Sequence, residues 1–217
     1  MADDILLTQE EQDERAKKWL KDNGMALAVG IILGLGAVFG FNQYKANLLA
    51  KAEMASQLYD ELSAQYTQSE LADISQAVDT LKTGHADSSY AAKAVLLRAK
   101  QLSLSDLPSA AQELQWVADN ASEAGLRHAA RIRLAKTKIA LGELSQATTI
   151  ASQLPYEGFD SYYQEILGDI AARGEASEAA RGHYQQAIDS LDASNSGYSA
   201  ILKLKITKLP AAPAQAQ

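Results

Sequence analysis

The chain has 217 residues, none of them cysteine, with 27 acidic against 20 basic residues and a formal charge of −7. Lack of cysteine excludes thiolate catalysis and cysteine-ligated metals. The acidic balance argues against nucleic acid as a partner, since binding phosphate needs a basic face.

The first 22 residues form a charged head with four basic and seven acidic side chains. Glu11 and Arg15, Asp13 and Lys17, and Glu14 and Lys18 are spaced i,i+4, which predicts a helix running out of the head into the adjoining apolar segment. In that segment, residues 23–44 carry no charge, and Gly24 to Phe41 are almost wholly apolar or glycine. At a rise of ~1.5 Å per residue it reaches about 33 Å, enough to cross a hydrocarbon core of roughly 30 Å. Trp19 and Tyr44 fall near the two expected interfaces. A cleaved signal peptide has a shorter apolar core, of ~7–15 residues, and the small-residue pattern Ala50-Lys51-Ala52 lies well past this run. The segment therefore reads as an uncleaved signal-anchor. Arg15, Lys17, Lys18 and Lys21 crowd its N-terminal flank against Lys45 and Lys51 on the other. The positive-inside rule thus predicts a cytoplasmic head and an exported C-terminal domain.

Inside the span, Gly30 and Gly34, and Gly36 and Gly40, repeat at i,i+4. Such spacing lets a second membrane helix approach closely, and these four residues are the predicted docking positions. No strand precedes them, so they do not read as a dinucleotide loop.

From Lys45 onward there are 16 basic and 20 acidic residues, and the composition is rich in Ala, Leu, Gln, Glu and Lys at helical spacing. Helices are predicted over 46–66, 70–83, 88–104, 108–120, 122–141, 144–154, 159–173, 176–190 and 197–208, with Gly84, Gly142 and Gly174 as C-terminal stops. Arg127, Arg131, Arg133, Lys136 and Lys138 read as a solvated helical surface. The tail, 209–217, is too poor in large apolar residues to pack and is expected to be flexible.

Small residues pair twelve apart: Ala99 with Ala111, Ala135 with Ala147, Gly168 with Ala180. Ala118, Leu154 and Ala187 stand seven residues after each second member. The period is 36 and then 33 residues, close to the ~34 of tetratricopeptide repeats. A small residue on each helix of an antiparallel pair lets the backbones close up. Leu102, Leu134, Ile150, Leu167 and Tyr184 fill between. The expected architecture is all-α: one N-terminal transmembrane helix (23–44), then a tetratricopeptide-repeat-like α-solenoid (45–208).

The span and its flank also resemble the YfgM family of ancillary SecYEG translocon subunits. The residues that carry the resemblance are Asn23-Gly24, Ala26 to Gly30, Ile32-Leu33-Gly34, Gly36-Ala37 and Gly40, just after Lys17-Lys18-Trp19-Leu20. The resemblance implies a single-pass protein of a Gram-negative inner membrane, its repeat domain in the periplasm beside the SecYEG exit. It also implies a PpiD-like periplasmic chaperone and exported client proteins as partners.

No catalytic, cofactor or metal site is expected. His85, His128 and His183 lack metal spacing and read as surface or helix-packing residues. There is no phosphate loop and no nucleophile elbow. Glu175 and Glu178 suit a helix start. Trp116, Tyr156, Phe159, Tyr162 and Tyr163 are a potential peptide or partner surface, although aromatic residues also seal joints between repeats. The function expected is thus non-enzymatic interaction. A periplasmic scaffold for envelope or division machinery, or a regulator acting through the head, are the alternatives.

Overall fold

A computed structural model describes residues 9–70, 72–153, 156, 158–192 and 194–210. The acidic residues Asp3 and Asp4, the repeat position Leu154, Pro155 and tail residues 211–217 lie outside them. All regular structure among the described residues is helical. The chain divides into two compact units, Met1–Lys51 and Ala52–Gln217.

The first unit holds most of α1 (Gln9–Gln68). From Gln9 onward the chain runs through the span and the stem as one uninterrupted helix, because nothing between Gln9 and Gln68 is proline and the span's glycines need no special backbone angle. Throughout the span the large apolar side chains are exposed, from Met25, Ile32 and Leu33 to Phe39 and Phe41. A helix apolar on all sides and covered by none of its own chain is built for lipid. Two anchors sit at its ends: Asn23 Nδ2 donates to the Trp19 carbonyl at 3.0 Å, and Lys45 Nζ lies 5.0 Å from the Phe41 ring centroid.

The second unit packs eight further helices after the end of α1: α2 (Ser75–Gly84), α3 (Ser89–Leu102), α4 (Leu107–Asn120), α5 (Ala124–Ala140), α6 (Leu144–Ala151), α7 (Asp160–Arg173), α8 (Ser177–Asp189) and α9 (Ser196–Thr207). Ala55, Leu62 and Tyr66 of α1 join Ile74, Val78 and Leu81 of the α2 region and Ala91, Ala92 and Val95 of α3 in one buried cluster. Helix α2 begins five residues later than its apolar pattern predicts. The Asp73 carboxylate accepts from Ser75 N–H at 3.0 Å, and Gln101 Nε2 donates to the carbonyls of Glu70 and Ala72. The first bond is local and the other two come from α3; together they hold Glu70, Ala72 and Asp73 outside the helix.

Helices α3/α4, α5/α6 and α7/α8 are the three repeat pairs. Asp106 caps α4 by accepting from Ser109 N–H at 3.1 Å, with Pro108 in the first turn, where its missing N–H costs nothing. The predicted small-residue pairs are buried between their helices: Ala99 and Ala111 with Leu114 and Leu134, Ala135 and Ala147 with Tyr163 and Ile166. At the third pair Gly168 faces the Tyr184 ring, and a Cβ placed there would come 2.5 Å from Tyr184 Cε1. Helices α3, α5 and α7 touch in sequence as one layer, and α4, α6 and α8 pack against it.

The turns inside the second and third pairs share one geometry. After α5, Glu143 N–H bonds to the Lys138 carbonyl around Gly142 at φ +80°. After α7, Ala176 N–H bonds to the Ala171 carbonyl around Glu175 at φ +61°. The expected stop Gly174 has φ −85° and merely ends the helix. The left-handed position follows the 33-residue register from Gly142 to Glu175, so the tertiary repeat sets the turn and a glutamate tolerates it.

Candidate functional site

Gly30, Gly34, Gly36 and Gly40 lie on the exposed span of α1, and a Cβ at any of them would meet nothing within 4 Å. At about 100° per residue, Gly30 and Gly34 share one face, and Gly36 and Gly40 share another, with Gly34 and Gly36 roughly 200° apart. The four are therefore two notches on different sides of the helix, not one groove. No described residue fills either.

The aromatic residues separate into two groups. His128 on α5, Tyr156 and Phe159 before α7, Tyr162 and Tyr163 on α7, and Tyr198 on α9 form a continuous assembly. His128 stacks on Phe159 at 4.7 Å, and its Nδ1 lies 2.8 Å from Tyr163 Oη. Tyr156 stacks on Tyr163 at 4.7 Å, and Tyr162 meets Tyr198 at 5.1 Å. Burial, with Asp160 nearby, pushes the Tyr156 phenol above its usual range. Tyr163 is 1 % exposed, so its ring fills the joint between α5 and α7 and does not belong to a surface. Tyr156 and Phe159 are half-buried flanks of that joint; Tyr162, 40 % exposed, is the member that faces solvent. Trp116 stands apart on α4, half-buried beneath Lys82 Nζ at 5.2 Å.

A buried charge network lies beside the aromatic assembly, at residues that sequence patterns did not single out. Glu165 accepts from Lys136 Nζ at 2.6 Å, Tyr198 Oη at 2.8 Å and Lys205 Nζ at 2.8 Å. Lys205 also reaches Asp169 at 2.6 Å, and Tyr184 Oη donates to Asp169 at 2.7 Å. Burial works to raise the Glu165 carboxyl, but the Lys136 and Lys205 ammonium groups outweigh it and hold it below the usual range. Burial likewise opposes charge on Lys205, and Asp169 and Glu165 overcome that and raise it. Burial, then bonding to Asp169 and Glu165, drives the Tyr184 and Tyr198 phenols far up. The network pins α5, α7, α8 and α9 together. A signal for it existed in the sequence: Glu165 and Asp169 are like charges at i,i+4 within an apolar stretch, an arrangement that needs cations from elsewhere.

The basic residues of α5 are correspondingly not a plain solvated face. Arg127 Nη1 closes the carbonyls of Ala121 and Ser122, Lys136 enters the network, and Lys138 pairs with Glu143 at 2.6 Å. His128 and His183 are packing residues, the latter bonded to Gln164 at 2.9 Å.

An open groove of about 650 Å³ runs between α4 and α6 over α5. Ala111, Leu134 and Ile150 line it together with the amides Gln112, Gln146 and Gln153. Its charges, Lys138 and Glu143, neutralise one another. Among the described residues no cluster of His, Asp or Glu has metal-holding geometry. Among them, too, no buried side-chain polar atom lacks a partner. The arrangement offers shape, amides and apolar contact.

An exposed apolar helix long enough to span a bilayer, together with stacked antiparallel helix pairs, defines the class: a membrane protein bearing a helical-repeat domain. The chain belongs to the tetratricopeptide repeat-like domain family, which matches residues 17–211. It is similar to proteins described as ancillary SecYEG translocon subunits from three bacteria. Identity is 26 % to that of Haemophilus influenzae, over 85 % of this chain and 90 % of the relative. It is 27 % to that of Aggregatibacter actinomycetemcomitans, over 85 % and 91 %, and 25 % to that of Escherichia coli K12, over 86 % and 90 %. No solved structure matches the chain.

Proposed function

We propose that this protein is a non-enzymatic ancillary subunit of the SecYEG translocon. Its head (1–22) is cytoplasmic, its span (23–44) crosses the inner membrane, and its repeat domain (45–208) works in the periplasm. There it links emerging exported proteins to a PpiD-like chaperone. The observation that carries the reading is the pairing of an uncovered apolar span with a repeat domain, in a chain similar over 85 % of its length to proteins named for that role. The basic N-terminal flank supports the orientation. Tethering holds the domain at high effective concentration beside the channel, so weak contacts suffice.

In this reading the two glycine notches seat helices of the translocon or the chaperone. Tyr162, Trp116 and the amide-lined groove between α4 and α6 are the surfaces for an uncharged extended segment.

The test is gentle-detergent purification of the tagged full-length protein, with mass spectrometry of what accompanies it. SecY, SecE or SecG together with a chaperone of the PpiD type is the expected result. Recovery of cell-wall or division proteins in their place would overturn it in favour of an envelope scaffold.

A further inference from the structure

The layer formed by α3, α5 and α7 is covered on one side by α4, α6 and α8. The other side carries an unusual charge. On α5, Ala129, Arg133, Lys136 and Ala140 follow one another at i, i+4, i+7 and i+11, and the last three are exposed. The register that aligns Ala99, Ala135 and Gly168 carries this stripe through Lys93 and Lys100 on α3 and through Asp169 and Arg173 on α7. Leu134 and Lys138, which line the groove between α4 and α6, lie roughly 150° away around α5, so the two surfaces are separate.

From Lys45 onward the chain has 16 basic and 20 acidic residues, and this side reverses that balance. Glu165 and Asp169 neutralise Lys136 and Lys205, and Glu70 lies 2.9 Å from Lys100. Lys93, Arg133 and Arg173 are left over. Lys93 Nζ lies 5.4 Å from the Tyr90 ring centroid, and Arg133 Nη1 donates to the Ala129 carbonyl of its own helix. Arg173 is exposed, and none of the three has a carboxylate partner among the described residues.

Their spacing says what kind of anion fits. In the repeat register Lys93 is level with Ala129, four residues before Arg133, and Arg173 is level with Ala140, seven residues beyond it. With neighbouring helices about 8–10 Å apart and a rise of ~1.5 Å per residue, the three cations form a diagonal with steps of roughly 10–14 Å. A compact anion meets one of them at a time. A nucleic-acid strand carries a charge every ~3.4 Å, far denser than this row. An extended polypeptide advances ~3.3 Å per residue, so an acidic side chain at every third or fourth position meets each cation in turn. Ala129 and Ala140 are small and leave the way open for its main chain.

We propose that the side of α3, α5 and α7 turned away from α4, α6 and α8 is a docking surface for an extended acidic segment of another protein, held by Lys93, Arg133 and Arg173. Arginine and lysine set in a row read carboxylates by charge and hydrogen bond. The surface discriminates by charge spacing, whereas the groove on the far side offers none.

The test uses full-length protein in mild detergent and a rhodamine-labelled peptide of alanine, glycine and serine with aspartate at every fourth position. The same peptide with asparagine at those positions is the comparison, and fluorescence anisotropy follows both. The expected result is saturable binding of the aspartate peptide alone. Arg133→Gln with Arg173→Gln should weaken it several-fold, as should high salt. Arg131→Gln with Lys203→Gln removes the same charge away from this side and should leave binding unchanged. Near-UV circular dichroism should be the same for all variants. Equal binding of the asparagine peptide, no binding of either, or an equal loss in the control pair overturns the proposal. Should Arg133 and Arg173 govern binding to phosphatidylglycerol vesicles, or self-association, with the aspartate peptide unbound, the surface belongs to lipid or to a second copy and the proposal is likewise overturned.

Discussion

Glycine has opposite reasons in the two units. At Gly168 the absent side chain is filled by the chain itself, since Tyr184 would stand 2.5 Å from a Cβ. At Gly30, Gly34, Gly36 and Gly40 the space stays empty to 4 Å. A repeat domain in water must complete its own packing, because exposed apolar surface is costly there. A span in lipid gains little by covering apolar surface, so its small residues matter for close approach to another helix. In the proposed reading, the difference teaches that stability is decided within the repeats and association within the span.

The largest effect should come from the charged joint. Glu165→Ala leaves Lys205 and Lys136 without their shared acceptor. We expect a loss of about 2–3 kcal/mol, below the roughly 3–5 of a fully buried pair because the Lys136 side chain is 44 % exposed. Near-UV circular dichroism in detergent, which follows tertiary packing and not span helicity, should show an earlier thermal transition. The same residue sets an acid limb. Its folded carboxyl titrates below its unfolded value of about 4.3, so its contribution is complete above that pH and is lost as pH falls through the folded value. Glu165→Gln should flatten that limb. Lys205 acts with the opposite sign, stabilising below its unfolded value and ceasing to do so as pH rises through its raised folded one.

Next in size is Gly168→Ala. Forcing the Tyr184 ring aside should cost about 1–3 kcal/mol and weaken the Tyr184–Asp169 bond. Alanine at Gly34 or Gly40 should leave the same transition unmoved. An equal loss at both kinds of site would break the contrast between units.

Leucine at Gly30 and Gly34, or separately at Gly36 and Gly40, should reduce co-purification of membrane partners while the repeat domain's transition stays in place. Because the two pairs lie on different faces, each pair should lose its own partner. Unchanged recovery from both double variants would refute docking through these notches.

The smallest effect is at the turns. Glu175→Gly relieves a left-handed non-glycine residue and should stabilise by about 0.5–1 kcal/mol, whereas Gly142→Ala should destabilise by a similar amount. Equal responses at the two positions would show that the turns are not equivalent.

Much of this was legible in the chain. Hydropathy marked the span, because lipid selects composition residue by residue over some twenty positions. Helical period and the small-residue pairs at separation twelve marked the repeats, since those rules act within a few turns. Even the two faces of the glycines follow from helix geometry.

Tertiary structure alone decided the rest. Glu175, not Gly174, takes the left-handed turn because the stacking register overrides local preference. Tyr163 lies inside and Tyr162 outside, although they are neighbours, because which face of α7 meets α5 depends on how the pairs stack. The lysines at 136 and 205 meet one carboxylate across about 70 residues of chain. No local rule reaches that far. Burial and pairing across distant segments set their charge, so only the folded arrangement could assign them.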